Sequence, residues 1–362
     1  MKNQILKLMI FAFILPVSAF VACDNDEDHP DYILNVDSLK DKFADYFMIG
    51  NIMNPSEVTS SKLKYHYNVL TAENDMKPDK INPSRGKYSF NTADSMVNSA
   101  LSAGFRVVGH TLLWHNQIPS WQSGLSVGSG TARQYMETYI NDVVDHFKGR
   151  IYSWDVLNEA FPDGGFTSDW KTSMRTANPW FRIIGSDFVY YGFLAARRAD
   201  PDAILYYNDY NMDMASKARM VRDMVRDVNA RYRSETGSTR LLIEGIGMQG
   251  HHNTGVSAQN IRTSINMFRE LGVRISISEL DVLSQTWSEY SANASLTSSG
   301  KEKASELYKE YFRVFMENKD IIERVTFWGV NDEDSWRSRG EPLIFAKNKA
   351  KSSFKKIIAL VN

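Results

Sequence analysis

The sequence predicts a single α/β domain of the (β/α)8 TIM-barrel class. Short segments rich in β-branched and aromatic residues alternate with longer amphipathic segments along the chain; there are eight of the short ones; and nearly all of those end in a polar side chain of a catalytic type. Strands alternating with helices imply parallel βαβ units. Eight such units close a barrel, and barrel active sites are assembled at the C-terminal ends of the strands.

The strand segments are 46–50, 69–72, 106–109, 151–157, 203–207, 245–248, 274–278 and 324–328. Helical periodicity falls between them at 92–103, 132–147, 183–198, 215–232, 258–271 and 301–317. No linker rich in Pro, Gly or Ser, no low-complexity tract and no repeat interrupts this order after about Tyr32. A doubly wound open sheet is the competing architecture, but Gly50-Asn51-Ile52-Met53 is not the glycine-rich phosphate loop that its first strand would carry.

The 362 residues are 43% hydrophobic and 23% charged with a formal net charge of −1, which gives no electrostatic footprint for a nucleic-acid partner. At the N-terminus, Lys2 and Lys7 precede an apolar run, 8–21, that ends at Ala22-Cys23. Spanning a bilayer takes roughly 20 apolar residues, so this shorter run reads as a signal peptide over 1–22. Phe20-Val21-Ala22-Cys23 resembles a bacterial lipobox, which implies acylation of Cys23, the only cysteine; the alternative is a plain secretory leader. Residues 23–36 then read as an acidic tether and 37–362 as the catalytic domain. The acidic run 24–28 resembles a surface-export signal, so anchoring to the outer membrane at the cell surface is expected, with the periplasm as the alternative.

Strand ends locate the chemistry. The second strand runs into Glu73-Asn74, the third into His110, the fourth into Asn158-Glu159 and the fifth into Asn208-Asp209; the sixth is followed by Gln249 and His251, the seventh by Glu279 and Asp281, the eighth by Trp328. One such residue is easily a satisfied core polar group. Seven successive strands delivering them to one rim describe an enzyme cleft. Glu159 and Glu279, on strands four and seven, face each other across a barrel mouth, as the two carboxyl groups of a glycosidase must: one protonates the departing oxygen, the other stabilises or captures an oxocarbenium-like carbon. Residues two apart on a strand share a face, so Glu279 pairs with Asp281 and Gln249 with His251. His251 is therefore expected between the two acids, one ring N–H to each. No HExxH motif or cysteine pair argues for a metal, and no cofactor is expected.

These segments resemble glycoside hydrolase family 10, the xylanase family of (β/α)8 barrels, over about residues 43–358. The resemblance is carried by Glu73-Asn74-Asp75-Met76-Lys77-Pro78, by Gly109 through His115, by Trp154 through Glu159 and by Asn208-Asp209-Tyr210-Asn211. Gly247 through His251, Ser278 through Asp281, and Trp328-Gly329-Val330 with Asp332 and Ser335-Trp336 complete it. It implies Glu159 as acid/base and Glu279 as nucleophile of a retaining endo-1,4-β-xylanase, with His251 and Asp281 in support. It implies sugar contacts from Glu73, Asn74 and Lys77, then His110 and Asn158 at the sugar that becomes attached, with Gln249 serving the nucleophile. Trp114, Trp328 and Trp336 would wall the pocket, and Tyr210 and Asn211 would meet the leaving group. Ala346 and Lys351-Ser352 depart from the family pattern in the last loop, away from the carboxylates. Partners would be xylan and xylo-oligosaccharides, acted on by a monomer. An exo-acting or mixed-specificity relative is the alternative, with the loop at 162–179 as the candidate blocking element; a non-catalytic surface glycan-binding protein is a further one.

Overall fold

The computed structural model describes residues 26–361, so the expected signal segment and Cys23 lie outside the described residues. Its barrel strands are β1 (Met48–Met53), β2 (Val69–Ala72), β3 (Arg106–Leu113), β4 (Ser153–Asn158), β5 (Ile204–Asp209), β6 (Gly245–Met248), β7 (Arg274–Leu283) and β8 (Ile322–Phe327). Each pairs in parallel with the next, and β8 pairs with β1 through Met48–Arg324 to Asn51–Phe327, which closes the barrel. The crossover helices are α1 (Ser61–His66), α2 (Asn91–Ser102), α3 (Ser129–His146), α4 (Asp187–Ala199), α5 (Ala215–Thr236), α6 (Ala258–Arg269), α7 (Ser298–Glu317) and α8 (Ser352–Ile358).

Helices cover the sheet because their apolar positions recur every three or four residues. On α3 these are Met136, Tyr139, Ile140, Val143 and Val144, all buried. Complete burial of one such side chain contributes about 1.5–3 kcal/mol. Small residues in the strands leave room for large neighbours: a Cβ at Gly109 would land on the Trp154 ring, and one at Gly245 on the Tyr206 ring. Inside the barrel, Arg324 is buried against the Tyr206 ring at 4.4 Å and lies 4.0 Å from Asp155.

Several boundaries differ from those expected. β1 starts two residues later, because Tyr46 and Phe47 pack with Phe43 in an aromatic cluster that reaches Phe312 of α7. β7 runs on to Leu283, so Glu279 and Asp281 are strand residues and not its end. The helix expected at 183–198 is broken at Gly185, whose φ of 78° ends the short helix Pro179–Ile184 before α4 begins. The tether assigned to 23–36 also ends earlier. Tyr32 and Ile33 are buried; the Ile33 N–H donates to Asn348 O at 2.7 Å, and the Ile33 carbonyl accepts from His66 Nε2 at 2.6 Å. Apolar burial thus draws this stretch onto the domain. Among the described residues no helix is long and apolar enough to cross a membrane.

Candidate active site

Glu279 and Asp281 leave the same face of β7, and His251 stands in register with Asp281 on an adjoining short strand. Its ring bridges the two carboxylates, with Nε2 3.1 Å from Glu279 Oε2 and Nδ1 3.0 Å from Asp281 Oδ2. Two carboxylate partners require both ring nitrogens to carry protons. Burial opposes that charge, but Asp281 and then Glu279 overcome it and raise the His251 pKa to about 9. Asp281 is also gripped by Arg337 and by Trp336 Nε1 at 3.1 Å. For Glu279, burial pushes the pKa up. The His251 hydrogen bond, the nearby His110 and the Asn208 amide, 2.7 Å from Oε1, outweigh it and hold the group below the usual carboxylate range.

Glu159 follows β4 with a φ of 55°, in the left-handed region, as are Gln117 and Asn211 elsewhere on the rim. Its backbone N–H donates to Asn208 O at 2.9 Å. Its Oε1 accepts from Gln249 Nε2 at 3.1 Å and from Asn158 Nδ2 at 3.4 Å. Gln249 Nε2 also donates to Asn158 Oδ1 at 3.2 Å, which accepts from Asn208 Nδ2 at 3.0 Å, the same group that binds Glu279. The two glutamates are therefore joined by an unbroken relay of side-chain amides, in which the NH2 groups of Gln249 and Asn208 each donate twice. His115 Nε2 comes within 4.0 Å of Glu159 Oε2. Burial, assisted by Arg175, lowers the His115 pKa to about 4, so at neutral pH this is a carboxyl group beside an uncharged ring and not an ion pair.

On the opposite wall Lys77 Nζ donates to Asn74 Oδ1 at 3.0 Å and to Gln117 Oε1 at 2.7 Å, 5.2 Å from the Trp114 ring. Burial raises the pKa of Glu73 beside it, against the opposing pull of Lys77. His110 Nδ1 lies 2.9 Å from Asp155 Oδ2, and its ring meets Trp328 edge-on at 5.6 Å. Trp336 packs 5.0 Å from His251 yet stays 62% exposed, so most of the indole remains open to a ligand. These groups surround one cleft of about 760 Å³. Of the site residues proposed from sequence, Glu73, Asn74, Lys77, His110, Trp114, Asn158, Glu159, Tyr210, Asn211, Gln249, His251, Glu279, Trp328 and Trp336 line it; Asp281 lies behind His251. Among the described residues no group of three or more His, Cys, Asp or Glu is placed to hold a metal ion.

The family model for glycosyl hydrolase family 10 matches residues 38–360. The chain belongs to this family. An endo-1,4-beta-xylanase of Geobacillus stearothermophilus is 37% identical over 310 residues, 83% of this chain and 89% of that protein. A protein of Acetivibrio thermocellus named exoglucanase XynX is 34% identical over 88% of this chain, which spans only 29% of that longer protein. A solved family 10 xylanase from termite gut, which contains a bacterial Ig-like domain, superposes with a TM-score of 0.88 at 50% identity, covering 90% of this chain and 78% of that one.

Other residues of this family 10 cleft were not singled out from sequence. Gln117 braces Lys77, His115 meets Glu159, and Arg337 holds Asp281 from fifty-six positions away. Trp287, 57% exposed and stacked on Tyr290 at 5.7 Å, adds an open indole to the lining. Behind Tyr210, a fully buried ion pair joins Lys217 Nζ to Asp209 Oδ1 at 2.7 Å, with Lys217 3.8 Å from the Tyr210 ring. Two of these carried a sequence signal, Trp287 as an aromatic in a polar loop and His115 as the last residue of the segment that begins at Gly109.

Proposed function

We propose that this chain is a retaining endo-1,4-β-xylanase in which Glu159 protonates the departing glycosidic oxygen while Glu279 attacks the anomeric carbon. The observation that carries the reading is the unequal setting of the two glutamates. Glu279 is kept ionised by His251 and Asn208, whereas Glu159 faces neutral amides and an uncharged His115. An ionised, fixed carboxylate suits the nucleophile's part, which leaves Glu159, at the other end of the amide relay, to serve the departing oxygen. In the second half-reaction Glu159 takes a proton from water, and the original configuration returns. His110 and Asn158 contact the sugar that becomes attached, where interactions that tighten in the transition state speed the reaction itself. Glu73, Asn74 and Lys77 hold the sugars on the far side of the cut, and Tyr210 and Asn211 meet the leaving portion.

Preference for xylan follows from steric closure: xylose lacks the exocyclic hydroxymethyl of glucose, and Trp328 and Trp336 stand together around His251. The expected result with long xylan is a rapid release of mixed oligomers and little activity on carboxymethylcellulose. Comparable rates on both polymers would remove the xylan assignment. A single short product from the outset would favour exo action, the reading that the name of the Acetivibrio relative brings into view.

The leader and the lipobox-like Phe20 to Cys23 support an exported protein acylated at Cys23 and held at the outer membrane, facing outward. Replacing Cys23 with Ala should move the activity from the membrane fraction to the soluble one. An unchanged membrane fraction would contradict the anchor.

A further inference from the structure

Between β4 and α4 the chain makes a long excursion, 159–178, and Arg175 folds back from it onto the residues that begin it. The Arg175 backbone N–H donates to Ala160 O at 2.7 Å. Its guanidinium Nε donates to Glu159 O at 3.3 Å, while Nη2 donates to Phe161 O at 2.9 Å and to Tyr210 Oη at 2.8 Å. One side chain thus clasps two carbonyls flanking Ala160 and a phenol on the wall where the leaving portion departs.

The clasp closes on a strained residue. With a φ of 55° at a side chain longer than Asn, Glu159 occupies a conformation that costs of order 1–3 kcal/mol and persists only when its surroundings over-determine it. Here each flanking peptide is held: the Glu159 N–H by Asn208 O at 2.9 Å, the Ala160 N–H by Tyr207 Oη at 3.1 Å, and the Glu159 carbonyl by Arg175. The first two anchors come from β5, part of the rigid barrel. Arg175 is the anchor supplied by the excursion itself. Without it the Glu159 carbonyl loses its donor, and relaxation toward negative φ turns the Cα–Cβ bond, carrying the carboxyl group away from the scissile oxygen.

We infer that Arg175 is a positioning residue for proton donation: it holds the strained backbone that aims Glu159, and through Tyr210 it couples that aim to the leaving-group wall. The inference rests on the reading of Glu159 as acid/base. Arg175 touches no reacting atom, so its effect must scale with how much the leaving group needs a proton.

The test is kcat/KM across a series of aryl β-xylobiosides, from dinitrophenol to phenol, for the native enzyme, Glu159→Ala, Arg175→Met and Arg175→Lys, each with its thermal midpoint recorded. A misaimed general acid is expected to lose about 10²-fold on the phenyl substrate, the scale of an ångström-level displacement, and little on the dinitrophenyl one. Arg175→Lys, which keeps the charge and part of the donor set, should fall between Arg175→Met and the native enzyme. Were Arg175→Met not to fold, the same slope measured on Arg175→Lys decides. A uniform loss across leaving groups, tracking a lowered midpoint, would make Arg175 a structural residue only and overturn the inference. If Glu159→Ala steepens the leaving-group dependence and the Arg175 variants do not, this inference alone fails. If Glu159→Ala shows no such dependence, the acid/base reading itself fails.

Discussion

At Glu279 burial and hydrogen bonding pull in opposite directions, and the hydrogen bonds win. The carboxylate lies deep in the cleft wall, yet a protonated His251 and the Asn208 amide hold it ionised. The pH consequences follow with definite sign. The His251 pKa is raised to about 9, so the stability it contributes is complete below its unfolded value of about 6.5 and is lost as pH rises through 9. The Glu279 pKa is depressed, so its contribution is present above about 4.3 and is lost as pH falls through the lower folded value. Replacing His251 with Asn removes the charged donor. A hydrogen bond to a charged group is worth about 1.5–3 kcal/mol, so the acid limb of the kcat/KM profile should move up by about one to two pH units. An acid limb that stays in place would show that His251 does not set the Glu279 charge.

At the scale of elements, β2 and β6 have the bounds that the sequence pattern predicts, because a short apolar run between helices has few other ways to pair. β1 was misplaced because Tyr46 and Phe47 have strand-like composition but serve the aromatic cluster with Phe43 and Phe312. The break at Gly185 was missed because amphipathic periodicity continues across it. The rim was legible for a simple reason: polar residues directly after strands have one place to go in a barrel. Arg175 and Arg337 were not, since each acts through a long reach across loops, and an arginine in a polar loop reads as a solvated surface residue. The pairing of Asp209 with Lys217 escaped for a related reason. Nothing in a basic helix such as α5 marks its one lysine, among several arginines, as the cation that turns inward.

For the whole molecule, closure of the sheet is what makes two distant glutamates one site. β4 and β7 sit on different sides of the mouth, and the amides of Asn158, Asn208 and Gln249, from β4, β5 and the end of β6, span the distance between their carboxylates. The ring supplies both glutamates and the amides between them, and two loops brace them from outside: the excursion after Glu159 returns Arg175 to the Glu159 carbonyl, and the segment carrying Trp336 and Arg337 holds Asp281. This division of labour puts the central claim, double displacement through Glu279, on the barrel itself. Its most direct test is inactivation with a 2-deoxy-2-fluoro-xylobioside bearing an acidic leaving group, which slows hydrolysis of the glycosyl-enzyme, followed by mass analysis of the labelled peptide. The expected result is one sugar adduct, carried by Glu279. No adduct, or an adduct on another residue, would contradict it.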